Sequence, residues 1–85
     1  MKIIYSGKFA KEYRRLPLKV KKAAEKKERI FRIDPFDPSL KTHMLKGKLK
    51  DYYSFSIDYQ SRIIFEFVGK DVIWFHSVRT HEVYK

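Results

Sequence analysis

Cysteine is absent from the 85-residue sequence. No disulfide can staple the chain, no oxidising compartment is needed, and thiolate ligands for zinc or an iron–sulfur cluster are lacking. Histidine does not make up the deficit, because the 3 histidines are scattered without a His-x-x-x-His spacing, so neither a metal nor another cofactor is expected. No apolar run approaches the roughly 18 residues of a membrane span. The opening Met1-Lys2-Ile3-Ile4-Tyr5-Ser6-Gly7-Lys8 is too short and too soon charged for a signal peptide, and a cytoplasmic location is expected. Internal repeats and low-complexity tracts are missing as well.

What is present suffices for a small globular core, at 44% hydrophobic and 16% aromatic residues. The length fits one domain, residues 1–85, whose core supplies a stability margin of only about 3–5 kcal/mol. Acidic residues are the scarce charge, 10 against 20 Lys and Arg, for a formal net charge of +10. The imbalance is local: residues 1–50 carry 16 Lys and Arg against 5 Asp and Glu, and residues 51–85 carry 4 against 5. Such a one-sided field attracts nucleic acid, an anionic membrane surface or an acidic protein partner. A solvated, lysine-rich helix face has the same composition, so charge alone does not choose.

Read in order, Met1 to Ser6 forms a strand, with Ile3 and Tyr5 alternating against Lys2 and Ile4. Ser6 is placed to cap a helix in which Phe9, Tyr13 and Leu16 share one face. Pro17 breaks the pattern and opens a second helix, to about Arg32, along Val20, Ala23, Ala24, Ile30 and Phe31. Lys19, Lys21, Lys22, Lys26, Lys27 and Arg29 make the rest of that helix basic. Its narrow stripe with two alanines suits packing on a sheet better than lying on a membrane. Asp34-Pro35-Phe36-Asp37-Pro38-Ser39 is a loop, and Lys41 to Lys50 a basic approach with a turn or bulge at Gly47.

From Asp51 the period changes to two. Tyr53, Phe55, Ile57 and Tyr59 alternate with Tyr52, Ser54, Ser56 and Asp58 as a strand with one buried face. Arg62 to Val68 reads as a central strand, Gly69-Lys70-Asp71 as a tight turn, and Val72 to Val78 as the returning strand. The expected fold is α+β: a strand, two helices and a three-stranded antiparallel meander, with both helices on one face of a single sheet and part of the other face open.

Arg62 begins an almost wholly apolar strand, where a guanidinium needs a partner. Either it bonds Asp58 or Glu66 at the strand end, or it lies on the open face, where its planar fork can grip a phosphate. A turn at Gly69 to Asp71 brings Arg79 across from it, and an anion between the two would relieve their repulsion. His81 is the residue type suited to proton transfer at neutral pH, and Tyr84 can stack on a base, although a His-x-x-Tyr near the end of a chain also describes a frayed tail. His43 is an acid/base candidate or a surface residue. His76 alternates with Val72, Trp74 and Val78, which reads as a core histidine and a core tryptophan.

The element order, with Leu45-Lys46-Gly47-Lys48-Leu49-Lys50-Asp51-Tyr52-Tyr53, Tyr59-Gln60-Ser61-Arg62-Ile63-Ile64-Phe65 and Arg79-Thr80-His81-Glu82-Val83-Tyr84, resembles the RelE/ParE superfamily of bacterial toxins over essentially the whole chain. The resemblance implies a RelE-like fold and metal-independent mRNA cleavage in the ribosomal A site, restrained by an acidic antitoxin. It places Arg62 and Tyr84 at the active site of RelE-like mRNA interferases, and His81, His43 and Arg79 at the acid/base and arginine positions of the YafQ-like branch. The chain departs from that branch at Ser56 and Gln60-Ser61 and from the YoeB branch at Lys46, so it carries the full catalytic set of neither. On this reading Arg62 and Arg79 stabilise the phosphate, and His81 moves a proton with His43 or Lys46 as partner. Tyr84 orients a base, and Lys46, Lys48, Lys22 and Lys26 contact RNA. The alternative within the superfamily is a ParE-like, non-enzymatic inhibitor of DNA gyrase.

Overall fold

Ser6 decides where the first strand stops and the first helix begins. Its backbone is extended (φ −69°, ψ 161°) and its Oγ accepts from the Phe9 amide at 2.9 Å, supplying one of the partners a helix start lacks. In the computed structural model, which describes residues 1–80, strand β1 (Lys2–Tyr5) therefore leads directly into helix α1 (Gly7–Arg14). Pro17 has no amide hydrogen and sits immediately before helix α2 (Leu18–Ile33), which ends at Asp34, where the chain turns extended ahead of Pro35. A short 3₁₀ turn (Pro38–Leu40) leads to strand β2 (His43–Met44), and another (Gly47–Leu49) to β3 (Tyr53–Ser56), β4 (Ser61–Gly69) and β5 (Val72–Thr80).

The five strands form one sheet in the order β1-β5-β4-β3-β2, with β1 parallel to β5 and every other pair antiparallel. The meander and the central place of β4 match the pattern of the sequence. β2 goes beyond it, since two residues within the basic approach to the meander show no alternation to read. β3 is also shorter than its alternating pattern. It stops at Ser56, Asp58 Oδ1 accepts from the Gln60 and Ser61 amides at 2.9 and 2.8 Å, and Tyr59 stands in that turn at 98% exposure.

Both helices cover one face of the sheet, and the core between them is largely aromatic. Phe31 of α2 is fully buried, with its ring centroid 4.7 Å from Phe55, 4.9 Å from Phe65 and 5.5 Å from Phe75, one ring from each of β3, β4 and β5. Phe9 of α1 meets Phe75 at 5.5 Å and stacks on Tyr5 and Tyr13. β1 ends at Tyr5, so the Val78 amide further along β5 lacks a strand partner; it donates instead to Glu12 Oε1 of α1 at 2.8 Å.

Candidate functional site

The register of the sheet assigns a set of side chains to the face away from the helices. Ile63, Phe65 and Val78 belong to the core, so Arg62, Ile64 and Glu66 on β4 and Ser77 and Arg79 on β5 point the other way. Phe55 is core, so Ser54 and Ser56 join them. Two rows cross that face: His43, Ser54, Ile64 and Ser77, and beside it Ser56, Arg62 and Arg79.

Arg62 and Arg79 are direct cross-strand partners, which puts their Cα atoms roughly 5 Å apart. Arg62 is half-buried and Arg79 exposed. Among the described residues neither forms an ion pair; Asp58, one of the partners considered for Arg62, spends a carboxylate oxygen on the turn after β3. Two forked cations on neighbouring strands offer the kind of donor set that a phosphate takes. His43 shares the face two strands away, with its Cα about 12 Å from that of Arg62 at ordinary strand spacing, and its Nδ1 lies 3.1 Å from the Lys41 carbonyl oxygen.

Lys46 and Lys48 are exposed on the connection between β2 and β3, at the Tyr52 end of the sheet and away from the Arg62 end. Lys22 and Lys26 are exposed on α2, in the layer behind the sheet, so they are not brought together with the arginine pair. His81 and Tyr84 lie outside the described residues; His81 follows Thr80, the last residue of β5, in the sequence.

His76 and Trp74 correct the pattern read from the sequence. Val78 is in the core, but between Ile64, paired with Ser77, and Phe65, paired with Phe75, the register shifts by one and leaves His76 as an extra residue on β5. A β-bulge of this kind changes which face the following side chains occupy. Trp74 stands beside Glu66 on the face away from the helices, and the His76 ring meets Trp74 at 5.5 Å and Tyr52 at 5.0 Å, both edge-on. Ser6 fastens the bulge, donating from Oγ to the His76 carbonyl oxygen at 2.7 Å, while the His76 Nδ1 lies 3.0 Å from Ser77 Oγ. Burial, then Lys8 and Arg79, lower the His76 pKa against a smaller opposing pull from Glu12 and Glu66, so the ring favours its neutral form. Tyr52 carried no distinct signal in a tyrosine-rich stretch.

A groove of about 500 Å³ opens on the helical side, between α1 and α2, floored by Phe9, Ala24 and Ile63 and edged by Glu25 and Glu28. Tyr5 donates to Glu28 at its end (2.5 Å), and Arg32 holds the same carboxylate at 3.2 Å. Among the described residues no three His, Asp or Glu side chains converge as a metal site, and no helix is long and apolar enough to cross a membrane.

No family model matches the sequence, and no curated protein matches it. Solved structures do. A YoeB/ParE toxin from Agrobacterium tumefaciens aligns with 95% of this chain and 99% of its own length, at 21% identity and a TM-score of 0.79. YafQ from E. coli aligns over 94% and 92%, at 22% identity and a TM-score of 0.68. A chain of the RelB–RelE antitoxin–toxin complex from Methanococcus jannaschii aligns over 93% and 91%, at 20% identity and a TM-score of 0.73. The protein has the fold of the RelE/ParE toxins.

Proposed function

We propose that this protein is the toxin of a type II toxin–antitoxin system and that it cleaves mRNA in the ribosomal A site. The observation that carries the reading is the Arg62–Arg79 pair: two cations, uncompensated among the described residues, opposite each other on the face the helices leave uncovered. In the reaction the 2′-hydroxyl attacks the adjacent phosphorus, the bond to the 5′-oxygen breaks, and the products carry a 2′,3′-cyclic phosphate and a 5′-hydroxyl. Charge growing on the phosphoryl oxygens is met by Arg62 and Arg79. His81 exchanges a proton with the reacting oxygens, His43 or Lys46 serves as its partner, and Tyr84 orients a base. Lys46, Lys48, Lys22 and Lys26 hold RNA backbone, the two α2 lysines toward ribosomal RNA.

The partner that restrains such an enzyme is an acidic antitoxin. The net charge of +10 favours it, and two of the similar solved structures, the YoeB–YefM complex from Staphylococcus aureus and the RelB–RelE complex, are toxin–antitoxin assemblies.

The test is cleavage by the purified chain of an mRNA bound to programmed ribosomes, with the product ends analysed chemically. The reading expects a 2′,3′-cyclic phosphate and a free 5′-hydroxyl without added metal. An intact mRNA beside inhibited DNA gyrase would replace it with the gyrase-inhibitor alternative.

A further inference from the structure

The arginine pair occupies only one end of the uncovered face. Toward the other end of β5, His76 lies three residues before Arg79, about 10 Å along the strand. Its ring is edge-on to both Tyr52 and Trp74. Tyr52, immediately before β3, and His76 on β5 lie on either side of β4, so their rings meet across it, and Ile64 on the same face of β4 is 2% exposed. The result is a patch of three half-buried rings above an apolar side chain.

The charges around this patch differ from those at the arginines. Glu66 is the direct neighbour of Trp74 and places a carboxylate beside the rings, which repels a phosphate. The imidazole is held toward its neutral form by burial and by Lys8 and Arg79. The bulge that presents His76 is fastened through Ser6 to the start of α1. An aromatic patch within a nucleotide's reach of the arginine pair, with a carboxylate rather than a cation beside it, suits the base of that nucleotide rather than its backbone.

We infer that Tyr52, His76 and Trp74 form a stacking site for an unpaired RNA base next to the phosphate held by Arg62 and Arg79. The inference rests on the nuclease reading and adds a subsite to it. The Tyr52 and Trp74 rings supply the stacking surface, His76 wedges them apart, and Glu66 keeps the backbone to the arginine end.

Trp74 is the 1 tryptophan of the chain, so its fluorescence reports on this site directly. The probe is a 2′-O-methyl hexaribonucleotide, which lacks the attacking hydroxyl, titrated at low salt into the folded protein beside the same oligomer made abasic. The base-bearing oligomer should quench Trp74 saturably. The abasic one should bind more weakly, by about 5- to 150-fold for the loss of one stacked base, and leave the emission nearly unchanged. Tyr52→Leu should weaken the base-bearing oligomer by a similar factor and the abasic one hardly at all, whereas Tyr52→Phe should behave as the parent. Equal affinity and equal quenching by the two oligomers, or no quenching by either, would overturn the stacking site. The comparison needs only the parent chain, so it holds even should Tyr52→Leu fail to fold. Cleavage on ribosomes is scored separately, so failure of the stacking site leaves the nuclease reading standing, and the absence of cleavage is read without reference to quenching.

Discussion

Arg62 and Arg79 face each other across β4 and β5 with no carboxylate between them among the described residues. Like charges in direct cross-strand register destabilise a sheet. On the proposed reading an anion joins them, and a phosphate matches their forked donors.

Arg62→Ala should therefore leave a folded chain that cleaves mRNA on ribosomes more slowly by about 10²- to 10³-fold, as for the loss of one donor to a developing oxyanion. Arg62→Lys should recover part of the rate, because it keeps the charge and loses the planar fork. Single-turnover kinetics beside a circular dichroism spectrum check both, and an unchanged rate in Arg62→Ala would remove Arg62 from the reaction.

Glu12 does the work of a missing strand by accepting from the Val78 amide. Glu12→Ala strands that buried donor and should cost about 1–3 kcal/mol of stability. Glu12→Gln keeps an acceptor and should cost less. Urea unfolding midpoints order the variants; equal midpoints for Ala and Gln would show that the bond contributes nothing.

The lowered pKa of His76 gives stability a pH dependence. Because the folded state binds the proton less readily than the unfolded one, the contribution is complete above the unfolded value of about 6.5 and is lost as the pH falls through the folded value. Lys8 and Arg79 face the ring as cations, and Glu12 and Glu66 oppose them. The drop in unfolding midpoint between pH 7.5 and pH 5 should thus be larger for the parent than for His76→Gln. Equal drops would mean that His76 titrates alike in both states.

Lys22 and Lys26 lie in the helical layer, on the far side of the sheet from the arginines. Changing both to glutamine should weaken ribosome binding most at low salt, reduce the salt slope by about 0.7–0.9 for each lost phosphate contact, and leave the cleavage rate of the bound complex alone. An unchanged slope would take α2 out of the RNA contact.

Much of this was legible because strong periodicities fix geometry. The apolar line through Ala24 and Phe31 and the alternation through Phe55 and Phe65 determine which faces meet, and the hairpin turn before Val72 puts Arg79 opposite Arg62. The bulge was not legible. Strict alternation counted back from the core residue Val78 puts His76 and Trp74 inside, and one unpaired residue, fastened by Ser6 from the other end of the chain, reverses that. Nor does sequence announce β2, whose two residues follow a left-handed backbone at Lys41 (φ 52°), which is not a glycine. The buried Ser54 fills a place that polar-out alternation assigns to solvent.

The central claim, RNA cleavage that depends on the arginine pair, is tested most directly by inducing the parent chain and Arg62→Ala in cells without antitoxin, while mapping mRNA 5′ ends and plasmid supercoiling together. The account predicts new 5′ ends and growth arrest with the parent chain, loss of both with Arg62→Ala, and normal supercoiling throughout. Growth arrest by both chains with intact mRNA and altered supercoiling would contradict it.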